Sequence, residues 1–255
     1  MSYTMSTKLS RASYTVALVG ATGGLGVDAV VSLVGKAPNE AAIKSGAKVY
    51  FPTEYGSDHR INDFPGWDDP DWLFKGQHAR KYRQLGAARQ SCFAILIGPW
   101  LGFDTANLTY TSVGSPDAKT ATTAKADIGR ALAELTLLSL NPETAASVPD
   151  DVHIAGSNVS YRQVRDVVQK IRDELGVEPK GEIKVQGTDL AAFREKLRKE
   201  QLEKPKSGPI DHIKILIGEG KMDFSQNDDE LVNPGESIWK WKTVEDIVRE
   251  KDGKV

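Results

Sequence analysis

Residues 15–26 read Thr-Val-Ala-Leu-Val-Gly-Ala-Thr-Gly-Gly-Leu-Gly, an apolar β-branched run that stops at a turn with glycines at 20, 23, 24 and 26. A buried parallel strand passes into a helix N-terminus in this way. Glycines let the backbone turn tightly there and let a pyrophosphate approach N–H groups that lack an intrahelical partner. The spacing Gly20-x-x-Gly23-x-x-Gly26 is the three-residue-spaced variant of the dinucleotide fingerprint, not the strict G-x-G-x-x-G. Gly20, Ala21, Thr22, Gly23, Gly24, Leu25 and Gly26 are therefore candidate cofactor-binding residues. The competing reading is a glycine-rich strand–helix turn that binds nothing.

A chain of 255 residues can bury a full core. Its net charge of −2 gives no general attraction to nucleic acid or to an anionic membrane, and neither partner is expected. Cys92 is the only cysteine, which excludes an internal disulfide or a cysteine-based cluster, and its apolar surroundings suit a small core residue. The four histidines, His59, His78, His153 and His212, lack ligand spacing, so no metal is expected. No apolar run is long enough to span a bilayer, and residues 1–13 read as a loose tail without a signal-peptide apolar core. A cytoplasmic location is the corresponding expectation.

Val27–Gly35 is β-branched enough for a strand, yet it stands where the phosphate-binding helix should run. Either position forces these residues helical, or the usual intervening βα units are missing. Ala37–Ser45 suits a helix and Lys48–Phe51 a short strand, followed by the loop Pro52–Asp58, where open α/β sheets place ligand contacts. Residues 59–72 read as a surface loop and Phe74–Ala88 as a basic helix, with Phe74, His78, Tyr82 and Leu85 on one face. Cys92–Ile97 reads as a buried strand, and Gly98–Ser115 as a glycine- and proline-rich connection. Asp127 is expected to cap a helix over Ile128–Leu138, in preference to a catalytic role. Val152–Ala155 reads as a strand, and Ser160 as the cap of a helix over Tyr161–Leu175, whose Tyr161 suits packing. Ile183–Gln186 is a strand followed by a helix over Asp189–Leu202, with Phe193 packing inward. Ile213–Ile217 is strand-like, Trp239 and Trp241 anchor the C-terminal segment to the core, and Val244–Arg249 is a last helix. The fold class is α/β, a Rossmann-like parallel sheet with flanking helices over 14–150, with a small α+β substrate lobe interleaved over 151–255.

With those motifs in view, the chain resembles the NmrA-like, isoflavone-reductase-like branch of the atypical short-chain dehydrogenases. The resemblance runs from Tyr14 to Trp241. It rests on Gly20–Gly26, Val27–Gly35, Phe51-Pro-Thr-Glu-Tyr-Gly-Ser-Asp58 and Thr122-Thr-Ala-Lys-Ala-Asp127-Ile-Gly-Arg130. Asp58-His59-Arg60, Gly218–Phe224 and Val232–Gly235 point to the fungal type. Set against the family, Val27–Gly35 matches the fourth strand joined directly to Gly26, and about fifty residues holding the second and third strands are missing. A second, shorter gap falls near Ile97-Gly98-Pro99. The position that should read the adenosine ribose lands on Ser45–Lys48, without an acid or arginine at a strand end.

The resemblance implies an NADP(H)-binding oxidoreductase that transfers hydride to a small hydrophobic or aromatic carbonyl or enone. It adds Val34, Gly35, Pro52, Thr53, Glu54 and Tyr55 as cofactor contacts. It makes Lys75 the catalytic candidate, acting on the substrate carbonyl or phenol, with Lys81 as runner-up. The plain alternatives are a solvated lysine on a basic helix face and a turn held by local hydrogen bonds. The Tyr-x-x-x-Lys pair of classical short-chain dehydrogenases is absent: Tyr55 is followed by His59, and Lys81 precedes Tyr82. Two other functions stay open. One is a non-catalytic NAD(P)-sensing regulator that acts on a protein partner; the other is a truncated variant that has lost its cofactor.

Overall fold

The computed structural model describes residues 49–51, 56–84, 88–89, 91–93 and 98–255. The glycine turn Gly20–Gly26, the run Val27–Gly35, the helix expected over Ala37–Ser45, the loop residues Pro52–Tyr55 and the end of the Cys92–Ile97 strand lie outside them.

The architecture is α/β with parallel and antiparallel pairings. Strand β1 (Val49–Tyr50) pairs in parallel with β2 (Ala88–Arg89), and β3 (Ser91–Phe93) pairs in parallel with β7 (Asp151–His153). Helix α1, Pro70–Gln84, lies between β1 and β2 in sequence. Strand β4 (Phe103–Asp104) is antiparallel to β5 (Thr109–Val113), and β5 runs parallel to β9 (Lys184–Thr188). Strand β6 (Lys119–Thr122) is antiparallel to β8 (Ser157–Ser160). The remaining α-helices among the described residues are α2 (Lys125–Leu140), α3 (Tyr161–Leu175), α4 (Leu190–Glu203), α5 (Ile210–Gly218), α6 (Asp229–Val232) and α7 (Val244–Glu250).

Several elements follow from local signals. Ser160 accepts from the Gln163 N–H while the Gln163 side chain accepts from the Ser160 N–H, a reciprocal capping box that starts α3. Gly176, at φ 67°, ends the same helix in the left-handed region open to glycine. Asp189 caps α4 through the Ala192 N–H. Inside, Tyr161 stacks on Phe103 with ring centroids 4.4 Å apart, and its hydroxyl donates to the Leu101 carbonyl at 2.6 Å. Burial pushes the Tyr161 phenol well above its ordinary range and that of Tyr110 up to about 12, so both stay neutral.

Five expectations are corrected. The stretch Gly98–Ser115 holds two strands, because Leu108 turns the chain at φ 51° and Thr-Tyr-Thr-Ser-Val alternates half-buried and buried positions before ending inside. Ile213–Ile217 is helical: His212, Ile213, Ile215, Leu216 and Ile217 are all buried, and a short apolar run surrounded by protein carries no period that separates strand from helix. Helix α1 starts at Pro70, not Phe74. The Asp69 carboxylate accepts from the Asp71 N–H at 2.9 Å, so Asp-Pro opens the helix. Its inward residue is Trp72, 4% exposed beside Phe64 and His212, whereas Phe74 is 66% exposed. Asp127 is not the cap of α2, whose cap position is Ala124. From the first turn it accepts from the Lys242 N–H and the Arg130 guanidinium, both at 2.8 Å. Trp239 and Trp241 are half-buried and pair edge to face at 5.0 Å, while Val244, Val248 and Val255 carry the C-terminal segment into the core.

Candidate functional site

The loop that leaves β1 ends at Ser57-Asp58 and passes into the 3-10 turn His59–Ile61. Asp58 is the turn's cap, its Oδ1 accepting from the Arg60 N–H at 2.9 Å. The Arg60 side chain folds back on the same carboxylate, Nε lying 2.8 Å from Oδ1 and 3.0 Å from Oδ2. A second guanidinium nitrogen of Arg60 pairs with Asp151.

Asp151 and His153 are two residues apart on β7, so the pleat sends both to one face while Val152 turns into the core. His153 Nε2 lies 3.0 Å from Asp58 Oδ2. The loop after β1 is thereby tied to the carboxyl end of β7, where α/β sheets form their ligand crevice. His153 is held in turn. Its N–H donates to the Asp228 carboxylate at 2.8 Å, its carbonyl accepts from the Asp228 N–H at 2.8 Å, and its ring meets Phe224 edge to face at 4.8 Å. The Ala155 N–H donates to Asp229 at 2.9 Å, so two aspartates serve backbone groups along and just beyond β7.

Asp58 is 2% exposed. Burial alone would raise its pKa, but the bonds from His153 and Arg60 outweigh it and hold the carboxyl well below the usual carboxylate range. The opposite balance holds at Asp229, where burial, aided by Asp228, Glu230 and Glu236, pushes the carboxyl up against the lowering bond from Ala155. Ser57, next to Asp58, is also buried, and its hydroxyl has no hydrogen-bond partner among the described residues.

Lys75, the catalytic candidate, is half-buried on α1, which packs against the His59–Ile61 turn, and no described residue forms an ion pair with it. The cofactor candidates Gly20, Ala21, Thr22, Gly23, Gly24, Leu25, Gly26, Val34, Gly35, Pro52, Thr53, Glu54 and Tyr55 lie outside the described residues. The contacts among Asp58, Arg60, Asp151, His153 and Asp228 were not foreseen from sequence. The available signal was Asp151-x-His153 at a strand end, two polar side chains on one face. Among the described residues no cluster of His, Cys, Asp and Glu is arranged to hold a metal, and no helix is long and apolar enough to cross a membrane.

No family model matches the sequence, and no curated protein does. Solved structures do match by shape. A protein solved with NADP+ and (+)-pinoresinol is 16% identical, with 83% of this chain covering 67% of that one at a TM-score of 0.58. An isoflavone reductase is 14% identical, with 86% of this chain covering 73% of that one at a TM-score of 0.55. Leucoanthocyanidin reductase from Vitis vinifera, solved with NADPH, is 18% identical, with 84% and 69% covered and a TM-score of 0.56. At these identities the likeness shows the fold, a Rossmann-like α/β fold of the kind found in NADP-binding reductases.

Proposed function

We propose that the chain is an NADP(H)-binding oxidoreductase of the NmrA-like, isoflavone-reductase-like type, acting in the cytoplasm on a small hydrophobic or aromatic carbonyl or enone. The observation that carries this reading is the Rossmann-like fold shared with reductases solved with NADP+ or NADPH, in a chain whose first strand-like run ends at Gly20–Gly26. The missing second and third strands belong to the same reading, since most of this chain covers only 67–73% of those proteins.

The test of fit among the described residues is Ser57. Its buried hydroxyl has no hydrogen-bond partner among the described residues, and it follows the candidate contacts Thr53, Glu54 and Tyr55 in the chain. Gly20–Gly26 would hold the pyrophosphate, and Thr53, Glu54 and Tyr55 the ribose and nicotinamide side. The bound cofactor supplies the hydride. Lys75 supplies polarisation or a proton at the acceptor oxygen through Nζ, and α1 fixes its helix by inserting Trp72 between Phe64 and His212. Asp58, Arg60 and His153 order the loop.

The lack of a Tyr-x-x-x-Lys pair favours a second reading, a non-catalytic NAD(P) sensor that acts on a protein partner. Turnover of NADPH with a panel of enones and aromatic carbonyls separates the two. Lys75→Ala abolishes turnover and leaves NADPH affinity unchanged if Lys75 acts on the acceptor. Unchanged rates remove it from the reaction.

A further inference from the structure

Helices α4 and α5 and the connection between them line a cavity of about 130 Å³, whose wall includes Leu197, Glu200, Lys204, Lys206, Asp211 and His212. That is room for several waters or one small solute. The wall is fixed in advance. The buried Gln201 amide accepts from the Lys206 N–H at 2.9 Å and donates to the Lys206 carbonyl at 3.3 Å, and the Gly208 N–H donates to Asp69 at 3.0 Å. His212 is fully buried in this wall. Its Nε2 lies 3.2 Å from the Trp67 carbonyl oxygen, which can only accept, so the neutral ring carries its proton on Nε2 and keeps a lone pair on Nδ1. Nδ1 has no hydrogen-bond partner among the described residues. The rings of Phe64, Trp67 and Trp72 pack around the imidazole with centroids 4.8, 5.6 and 5.6 Å away, and the cavity is the space from which a donor can meet Nδ1. A buried acceptor left without a donor is costly, so this wall favours an occupant that brings one.

The lining charges say what kind of donor fits. Lys204 and Lys206 are exposed and form no ion pair among the described residues. Glu200 Oε1 lies 3.9 Å from Lys196 Nζ and Asp211 Oδ1 2.9 Å from Lys214 Nζ, so both carboxylates keep acceptor capacity beside the cavity. Two cations and two carboxylates around one small space match a ligand that carries both signs, and an ammonium is also a donor. We propose that this cavity binds a small α-amino acid. Its ammonium donates to His212 Nδ1 beside Asp211 and Glu200, its carboxylate meets Lys204 and Lys206, and its side chain rests on Leu197. None of these residues is a cofactor candidate, and the site stands or falls independently of the NADP(H) reading.

The experiment is a titration of the full-length chain with alanine, followed by tryptophan fluorescence, because Trp67 and Trp72 pack on His212. Saturation with a Kd of about 1 mM is expected for a ligand of so few atoms. Lactate, which has a hydroxyl in place of the ammonium, should bind at least about tenfold more weakly. Phenylalanine exceeds the space and should show no saturation up to about 50 mM. Replacing both lysines, Lys204→Gln with Lys206→Gln, should raise the alanine Kd about tenfold. The melting temperature of that ligand-free variant should stay unchanged, because neither lysine is ion-paired within the described chain. His212→Phe keeps a ring among the three aromatics, removes the acceptor and should abolish saturation. Where that variant does not fold, the lysine pair decides. The proposal is overturned by a chain that alanine does not saturate, which leaves the cavity to water. It is equally overturned by lactate or phenylalanine binding as tightly as alanine, or by an unchanged Kd in the lysine variant or in a folded His212→Phe.

Discussion

Asp58 and His153 join the loop after β1 to the end of β7 through a 3.0 Å contact between a carboxylate oxygen and an imidazole nitrogen. The depressed pKa of Asp58 makes this contact a contribution to stability with a defined pH sign. The folded-state value lies below the unfolded one, so the stabilisation is fully present above the ordinary carboxylate pKa of about 4 and is lost as pH falls below it. Asp58→Asn should cost about 1–3 kcal/mol near neutral pH and progressively less in acid. Urea unfolding of both proteins between neutral pH and about pH 3 checks this, and a difference that stays constant with pH would contradict the assignment.

Tyr161 offers a test in the core, free of titration. Its hydroxyl is the donor found for the buried Leu101 carbonyl, and its ring covers Phe103. Tyr161→Phe keeps the ring and removes the donor, with an expected loss of about 1–2 kcal/mol in denaturant unfolding. Tyr161→Ala also opens a cavity and should cost about 3–5 kcal/mol.

Gly218 tests the docking of α5 on β5. A Cβ at this position would stand 2.4 Å from the Val113 carbonyl oxygen, a backbone atom that cannot swing aside. Gly218→Ala should therefore destabilise by about 1–3 kcal/mol despite alanine's better helix propensity. A neutral or stabilising result, read from thermal unfolding, would show that the helix packs at a greater distance.

Much of the C-terminal half was legible because its signals are local. Ser160 with Gln163, Asp189 before Leu190 and Gly176 after Leu175 mark helix ends by chemistry that needs no distant partner. Ile213–Ile217 was not legible, since burial on nearly every side erases the period on which a strand or helix reading depends. Phe74 misled for a related reason. Spacing predicts a face, but Trp72 and the Asp69-Pro70 start fix the face that turns inward. At the candidate site, Lys75 and the loop up to Asp58 were named from sequence. The partnership of Asp58 with His153 was not, because it joins residues ninety-five positions apart in the chain, and no local pattern brings them together.

The proposed cofactor is tested most directly by titrating the purified chain with NADPH and with NADH while following tryptophan fluorescence and thermal unfolding. Binding at micromolar Kd with a preference for NADPH is expected. At a hundredfold excess over Kd it should add about 2.7 kcal/mol and raise the melting temperature by roughly 5–10 °C. A well-folded protein that shows neither saturation nor a shift with either nucleotide would contradict the NADP(H) reading and leave the chain a Rossmann-like fold without its dinucleotide.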